Sequence, residues 1–294
     1  MAQKDVTAKL QMRNDTAANW KSKNPVLDVG EIGYDTTNKK TKIGDGVTPW
    51  LDLDWFATVA KPTFANDDWA RIAAYAESGD AADVYKVGDE KVIELSTGET
   101  ITLVILGFNH DDKAGGGKAG ISIGMKNCLT TKYPMNASNT NVNGWDGSAM
   151  RTSIMQTLLS QLPADLQSVI KPVLKKATSG NKETTITTST DKLWLPSIIE
   201  ITGGGVAPAS GDGYKDEGVQ YEYWRTIKDG ANPAPNAANP DRVKTAGDDG
   251  AATVYWLRSP YVGNATSFCN VYTAGNLRYS YASYSYGVSF GFCV

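Results

Sequence analysis

The chain has few of the side chains from which zinc sites and disulfide-built folds are made. Its 294 residues include a single histidine, His110, and three cysteines, Cys128, Cys269 and Cys293. Three cysteines are too few for a disulfide framework, so we interpret them as small buried apolar residues. One histidine cannot form a dedicated zinc site without several carboxylates, and we expect neither a metal site nor a cofactor.

Long apolar runs and an excess of positive charge are also missing. Because no run of about 18 apolar residues is present, we expect no membrane insertion. The polar first residues lack the apolar stretch of a secretory signal, which predicts synthesis in a cytoplasm and release by lysis or on a particle. The net charge of −3 argues against a nucleic-acid partner.

The length and the apolar content of 41% predict about two globular domains of the α+β class. Residues 1–57 are interpreted as a small β module, with strands at 30–35 and 40–43 around a polar turn. A unit of this size buries little apolar surface by itself, and oligomerisation is the usual remedy. The module therefore gives the first indication that the protein is not a monomer.

Residues 61–294 are interpreted as a larger α+β domain. Asp67 or Asp68 is expected to cap a helix that ends at Gly79, followed by a hairpin of strands 91–95 and 100–106. A helical pair is predicted from about 148 to 175, where proline is expected to end or kink the second helix. Further strands are predicted at 184–188, 192–195, 220–224 and 253–258, and a solvated loop at 230–240.

The segment after Trp256 differs in composition from the rest of the chain. Residues 257–294 contain no Lys, Glu, Gln, Met, Trp, Asp or His, and their only charged side chains are Arg258 and Arg278. Tyrosine, serine and asparagine are crowded there, as in antibody-like binding surfaces, where tyrosine supplies contact area at a low entropic cost. An ordinary sheet of tyrosine-rich strands would have a similar composition, and composition alone does not separate the two.

The pattern along this segment distinguishes two parts. Val288, Phe290, Phe292 and Val294 alternate with small residues, which predicts a half-buried strand at residues 287–294. Residues 270–286 do not sort apolar from polar side chains, and we predict an irregular loop there. A loop anchored between strands is a common way to present binding residues on a rigid scaffold.

The N-terminal part resembles a known phage module. Residues 30–35 (GEIGYD) and 42–53 (KIGDGVTPWLDL) are similar to the N-terminal repeat of phage tail-fibre and major-tropism-determinant-like proteins, over about a fifth of the chain. The resemblance implies a module that joins the protein to virion tail proteins and helps it to form a homotrimer. It also implies a location on the virion.

The remainder resembles a second group of phage and gut-bacterial proteins. The resemblance rests on residues 255–260 (YWLRSP), the 287–288 turn into a final strand, Trp69, residues 88–89 and residues 107–111 (GFNHD). It implies a C-type-lectin-like domain, a fold also called formylglycine-generating-enzyme-like. Several members are variable proteins of diversity-generating retroelements, in which adenines of a template repeat are mutated. Mutated Asn codons ending in a pyrimidine cannot give Lys, Glu, Gln, Met or Trp, the five types missing after Trp256.

The second resemblance implies a set of diversified, ligand-binding positions within residues 257–294, with Leu257, Arg258, Ser259, Pro260, Gly287 and Val288 as invariant framework. Relatives often continue Arg-Pro where this chain has Ser289 and Phe290. The expected ligand-binding positions are Tyr261, Asn270, Tyr272, Asn276, Arg278, Tyr279, Ser280, Tyr281, Ser283, Tyr284, Ser285 and Tyr286.

These features predict a receptor-binding protein of a phage, which holds a host-surface protein or glycan through its C-terminal face and is not an enzyme. The alternative is a tail-associated polysaccharide depolymerase, because glycoside cleavage needs only two carboxylates. No arrangement of its candidate carboxylates is visible in the sequence; they are Asp111, Asp146, Asp212 and Glu222. His110 beside Asp111 is interpreted as a loop-holding residue rather than a general base.

Overall fold

The structure is a computed structural model that describes residues 12–56, 61–204, 213–227 and 238–294. It has a mixed α/β architecture of small sheets and short helices. The chain divides into two compact units, Met1–Lys61 and Pro62–Val294. The domains predicted from the sequence are residues 1–57 and 61–294. Most of the predicted loop at 230–240, and Asp212, lie outside the described residues.

The first unit contains one three-stranded sheet and one short helix. The helix begins after Thr16, whose hydroxyl accepts from the amide of Asn19, and it ends at Asn24 in a left-handed conformation. The predicted strands near 30–35 and 40–43 are confirmed as an antiparallel pair, and a further strand lies parallel to the first of them. The elements are β1 (Arg13–Asp15), α1 (Ala17–Lys23), β2 (Ile32–Asp35) and β3 (Lys40–Ile43).

The core of this unit is a pair of stacked tryptophans with Leu27. The rings of Trp20 and Trp50 are 3.9 Å apart, and a Cβ at Gly33 would lie 2.5 Å from the Trp50 ring. The Lys42 ammonium lies beneath Trp50 and donates to its carbonyl oxygen at 2.7 Å. Gly33, Lys42 and Trp50, which belong to the two N-terminal motifs, therefore lie together at the centre of this unit.

The second unit has short helices and small antiparallel sheets around one core. Two single turns of π-helix, Met150–Ile154 and Tyr223–Ile227, and a 3₁₀ turn, Pro240–Arg242, interrupt the regular elements. The elements are α2 (Trp69–Ser78), α3 (Ala81–Val84), β4 (Glu90–Glu94), β5 (Thr100–Phe108), β6 (Ile121–Met125), α4 (Met155–Gln161), α5 (Ala164–Val169), β7 (Val173–Gly180), β8 (Glu183–Asp191), α6 (Ile198–Thr202), β9 (Lys244–Thr245), β10 (Ala252–Thr253), β11 (Tyr255–Pro260), β12 (Ser267–Val271), β13 (Leu277–Tyr281) and β14 (Gly291–Cys293).

The first helix and hairpin of this unit confirm the sequence predictions. The Asp68 carboxylate accepts from the amide of Arg71 at the start of α2, and Gly79 ends the helix at a φ of 88°. Strands β4 and β5 pair as predicted, and β6 and β14 extend them to a four-stranded sheet of order β14-β6-β5-β4. Both faces of β6 are buried, which places this sheet inside the core.

Three other predictions in this unit are wrong in part. The predicted helical pair ends at Val169 and not near residue 175, but the expectation that proline ends the second helix is confirmed, since β7 starts directly after Pro172, which lacks the amide that a continuing helix needs. Residues 192–195 form only a two-bond bridge between Trp194 and Gly291, since Pro196 follows at once. Residues 220–224 turn into the second π-helical segment instead of a strand, because the Tyr221 carbonyl accepts locally from the amides of Trp224 and Arg225.

The C-terminal strand is buried on both sides, whereas the alternation predicted a half-buried strand. Val288, Phe290, Phe292 and Val294 are buried as expected, and so are the small residues between them. The Trp194 ring covers Gly291, where a Cβ would lie 2.3 Å from that ring. The Cys293 thiol lies 3.3 Å from the Asp111 carboxylate. The alternating residues of this strand are small because large neighbouring side chains fill the space beside them, and not because they face solvent.

Candidate ligand-binding surface

The tyrosine-rich segment forms a β-hairpin, so the prediction of an irregular loop at 270–286 is wrong for most of its length. Strands β12 and β13 pair in five antiparallel steps, from Ser267 opposite Tyr281 to Val271 opposite Leu277. Strand β11 pairs on the other side of β12. The pattern hid these strands because β12 is buried throughout while β13 is mostly exposed, and neither strand alternates.

Four tyrosines of this hairpin are exposed. The side chains of Tyr272, Tyr279, Tyr281 and Tyr284 are 46%, 44%, 47% and 48% exposed, and Tyr286 beside them is half-buried. The other nine of the 14 tyrosines are buried or half-buried. All exposed tyrosines of the chain therefore lie on one short stretch, which we call the tyrosine face.

The rings of the tyrosine face are held by contacts with other rings. Tyr279 stacks on Tyr261 with centroids 3.7 Å apart and planes within 5°. The Tyr284 ring packs edge to face against the rings of Tyr281 and Tyr286, with centroids 5.7 and 6.2 Å apart. The Tyr286 ring packs at a tilt against buried Trp256, with centroids 4.9 Å apart. Because neighbours already restrict these side chains, ordering them on a partner costs less entropy than ordering free rings.

Three of the expected ligand-binding positions are buried, so the expectation that they face solvent is wrong. Asn270 lies in the middle strand of the sheet, and its amide donates to the Ser280 hydroxyl at 2.9 Å. Asn276 is enclosed in the turn between β12 and β13, where its carbonyl accepts from the amide of Tyr272. Tyr261 is covered by Tyr279, and its burial raises its pKa to about 12. These three side chains support the surface from below.

The remaining expected positions lie at or near the surface. Arg278 and Ser285 are exposed, and Ser280 and Ser283 are half-buried. The Ser283 hydroxyl donates to the side-chain oxygen of Asn139 at 2.6 Å. Nine of the twelve positions are thus exposed or half-buried, and the four exposed tyrosines and Tyr286 are among these nine.

A neighbouring segment that the sequence reasoning missed supports this surface. The backbones of Tyr133 and Tyr286 exchange two hydrogen bonds, at 3.0 and 3.1 Å, and the amide of Asn136 donates to the carbonyl of Ala282. The only local signal in the sequence is a run of asparagines between 136 and 143, which is typical of turns. We call residues 130–141 the supporting segment.

Asn141 ties the supporting segment to the start of the hairpin. It is fully buried, and its amide nitrogen lies 3.1, 2.9 and 2.7 Å from the carbonyl oxygens of Tyr261, Asn264 and Ser267. Its side-chain oxygen accepts from the amide of Asn181 at 2.9 Å. One side chain therefore satisfies the buried backbone of the turn between β11 and β12.

Replacing Asn141 with alanine is expected to lower the free energy of unfolding by about 2 kcal/mol, because buried carbonyl groups lose their donor. Asn139→Ala is the matched control, since Asn139 is exposed and its loss is expected to cost less than about 1 kcal/mol. Urea unfolding of both variants measures the difference. Equal stability of the two would contradict the anchoring role of Asn141.

Beneath the sheet, Arg258 is enclosed without any exposed surface. Its guanidinium donates to both carboxylate oxygens of Glu200 and to three backbone carbonyl oxygens, those of Lys176, Leu195 and Glu217. All five N–H groups of the side chain are used. Arg258 thus joins β11 to the chain around it. This residue, which the resemblance implies is part of the framework, forms a buried ion pair with Glu200.

The ion pair continues into a second buried pair. The Lys175 ammonium lies 2.6 Å from Glu200 and 2.7 Å from Asp111, and Asp111 also accepts from Ser122 and Tyr221. Burial alone would raise the pKa of Asp111, but the Lys175 ammonium and these hydrogen bonds outweigh burial and lower it. Two cations and two carboxylates therefore balance one another inside the domain.

Glu217 is a further buried carboxyl group beside this balanced set. Its oxygens accept from the Ser259 hydroxyl and from the Thr178 amide. Burial raises the pKa of Glu217 to about 7, against 4.5 ordinarily, because these bonds and Arg258 only partly offset the loss of water. The folded protein therefore holds a proton here that the unfolded chain releases above pH 4.5.

The stability contributed at Glu217 is expected to fall as the pH rises from about 4.5 to about 7, because the folded state binds the extra proton. Glu217→Gln imitates the protonated form and removes this dependence. Urea unfolding gives the free energy of unfolding of both proteins at pH 5 and at pH 8. The difference, variant minus parent, is expected to increase by about 2 kcal/mol between these two pH values. The contribution of His110, whose pKa is lowered by burial, has the opposite sign but is common to both proteins. A parallel pH dependence of the two proteins would contradict the assignment.

Three of the candidate catalytic residues, His110, Asp111 and Glu222, line one cavity of about 1110 Å³, and Asp146 is not part of its lining. His110 stacks on Tyr221 at 4.1 Å, exposed Asp146 pairs with half-buried Arg151, and Glu222 is exposed. Within the described ranges, no group of three or more His, Cys, Asp or Glu side chains is placed to hold a metal ion. The three cysteines are buried and unpaired, as interpreted from their number.

Comparison with known families agrees with the division into two units. Residues 10–48 match the family described as Major tropism determinant N-terminal domain, which supports a tropism-determinant-like phage protein associated with the virion. Residues 123–294, more than half of the chain, match the family described as Domain of unknown function (DUF6273). The chain therefore belongs to that family. Comparisons with curated proteins and with solved structures give no match. In the described part of the chain, no helix has the length and apolar character to cross a membrane.

Proposed function

We propose that the protein is a phage receptor-binding protein that holds a host-surface ligand through the tyrosine face. The observation that carries the proposal is the position of the four exposed tyrosines, which are the only exposed ones of 14 and lie on the β12–β13 hairpin and the turn directly after it. Exposed tyrosines on a rigid support are typical of binding surfaces, because the ring combines apolar contact area with a hydrogen-bonding hydroxyl. The function is binding without catalysis.

The N-terminal unit is proposed to attach the protein to virion tail proteins and to hold it as a homotrimer. Support comes from the family match at residues 10–48 and from a core that, among the described residues of the unit, contains three buried apolar side chains. Several copies on one particle raise avidity by about 10²–10⁴ when they bind together. Light scattering of the full chain is expected to give the mass of a trimer. A stable monomer at micromolar concentration would contradict this part of the proposal.

The C-terminal unit is proposed to be a C-type-lectin-like scaffold whose last residues are diversified by a retroelement. The proposal is supported by the five residue types missing after Trp256 and by the contrast between a buried framework and an exposed hairpin. Leu257, Arg258, Ser259 and Val288 are fully or nearly fully buried, as a framework requires. A near-copy of the 3′ end with Asn codons at the exposed positions, beside a reverse-transcriptase gene, is the expected finding in the flanking DNA.

The proposed function is tested by adding the fluorescently labelled full chain to a panel of bacterial strains. Saturable binding to a subset of strains, without release of oligosaccharide from their surface, is expected. Treating those cells with protease or with periodate separates a protein ligand from a glycan. Catalytic release of oligosaccharide would favour the depolymerase, and absence of binding to every strain, including the natural host, would contradict the receptor-binding function.

A further inference from the structure

A small pocket lies beside the tyrosine face, outside the segment expected to vary. Its volume is about 220 Å³. Its walls are the turn between β4 and β5, the last residues of α4 and the first residues of the supporting segment. All of its lining residues lie between 97 and 161, within one continuous described range.

The walls of this pocket are held in place by hydrogen bonds. One carboxylate oxygen of Glu99 accepts from the amide of Thr130 at 2.7 Å. The amide of Ser96 donates to the carbonyl of Gln161 at 2.8 Å. The pocket also contacts Leu129 and Leu158, each 2% exposed and part of the main core. The site is therefore formed before any ligand arrives.

The lining combines hydroxyl, carboxamide and carboxylate side chains with this apolar base. Thr97, Thr131 and Gln161 contribute polar side chains that make no hydrogen bond to the described residues, and Glu99 contributes the one formal charge. A sugar ring has the complementary chemistry, because its hydroxyls can donate to a carboxylate while its C–H groups pack on apolar side chains. A negative lining disfavours acidic sugars.

The pocket and the tyrosine face share a wall. Tyr133 lines the pocket, and its backbone exchanges the two hydrogen bonds with Tyr286. The indole nitrogen of Trp256 donates to the Tyr133 carbonyl at 2.9 Å. Paired backbones lie about 5 Å apart, so the pocket wall at Tyr133 adjoins the backbone of Tyr286 beside the tyrosine face.

We propose that this pocket binds a neutral monosaccharide unit, as a fixed subsite next to the diversified face. The subsite supplies the same weak recognition to every variant of the face, since none of its lining residues lies in residues 257–294. The tyrosine face then adds the contacts that differ between variants. The pocket uses a different set of residues from the tyrosine face, so monosaccharide binding is tested separately, whereas its role as a fixed subsite rests on the proposed receptor-binding function.

The test is a titration of the full chain with free monosaccharides, followed through the leucine methyl signals by NMR. Glucose, galactose, mannose, N-acetylglucosamine and N-acetylgalactosamine form the panel, with glucuronic acid as the acidic comparison. For at least one neutral sugar, saturable shifts at Leu129 and Leu158 are expected, with a Kd on the order of 1 mM. The signals of Leu257 and Leu277, beneath the tyrosine face, are expected to stay unchanged.

Glu99→Gln is expected to weaken this binding about tenfold, because a charge-assisted hydrogen bond is lost while an oxygen remains for the Thr130 amide. Glu94→Gln, an exposed residue at the end of β4, is the matched control and is expected to bind as the parent does. Gln161→Ala is a second variant that keeps the backbone carbonyl used by Ser96. Each variant is compared only after its methyl spectrum confirms the parent fold.

The double variant Tyr281→Ser and Tyr284→Ser separates this proposal from the receptor-binding function. It is expected to lose host-cell binding and to keep the monosaccharide Kd of the parent. The pocket proposal is overturned if no neutral sugar shifts the methyl signals of Leu129 and Leu158 at sugar concentrations up to 50-fold above about 1 mM. It is equally overturned if glucuronic acid binds as tightly as the neutral sugars, or if Glu99→Gln and Gln161→Ala both bind as the parent does.

Discussion

Replacing Arg258 with alanine is expected to lower the free energy of unfolding by about 3–5 kcal/mol. The substitution leaves Glu200 buried beside an excess of negative charge, because only Lys175 then remains to balance Glu200 and Asp111. It also removes the donors of three buried backbone carbonyl groups. Urea unfolding followed by tryptophan fluorescence measures the loss.

Arg278→Ala is the matched control for this prediction. Arg258 and Arg278 are the only charged side chains of residues 257–294, and Arg278 is exposed without an ion pair to the described residues. Its loss is expected to change the free energy of unfolding by less than about 0.5 kcal/mol. If the two variants were equally stable, the buried ion pair would not be part of the framework that carries the hairpin.

Replacing Tyr281 and Tyr284 with serine is expected to weaken binding to the host ligand about hundredfold or more, because exposed aromatic anchors dominate binding surfaces. The rings of the two residues pack edge to face, so the double variant removes one continuous part of the surface. Stability is expected to change by less than about 1 kcal/mol, since both side chains are nearly half exposed. Titration of host cells with labelled protein measures the affinity.

Val92→Ser is the control for nonspecific adhesion through exposed apolar groups. Val92 is 62% exposed on β4, away from the hairpin, and its replacement is expected to leave host binding unchanged. Equal loss of binding in both variants would mean that exposed apolar surface in general, and not the tyrosine face, holds the ligand.

Local features of the fold were predictable from sequence where one residue decides the geometry. Asp68 and Gly79 delimit α2, and the glycine-containing turn between β4 and β5 predicts their hairpin. The hairpin of the tyrosine face was not predictable by alternation. Tyrosine serves equally well on buried and exposed faces, and β12 is buried on both sides, so the pattern carries no period of two.

The support of the candidate site could not be predicted because its members are distant in sequence. Asp111 lies in the loop after β5, whereas Lys175, Glu200 and Arg258 belong to β7, α6 and β11, and each is an ordinary charged residue in its local context. Asn270 illustrates the same limit, since the family resemblance implied that it binds the ligand, whereas the sheet buries it. Composition marked residues 257–294 as different from the rest of the chain, but only the packing separates the exposed residues of this segment from the buried ones.

The most direct measurement is photo-crosslinking from the tyrosine face to the host surface. Benzoylphenylalanine incorporated at Tyr284 is expected to form a covalent adduct with a host molecule on irradiation of bound cells. The same group incorporated at Val92 serves as the reference position and is expected to form none. Adducts from position 92 with none from position 284, in protein that still binds the cells, would contradict the assignment of the tyrosine face as the receptor-binding surface.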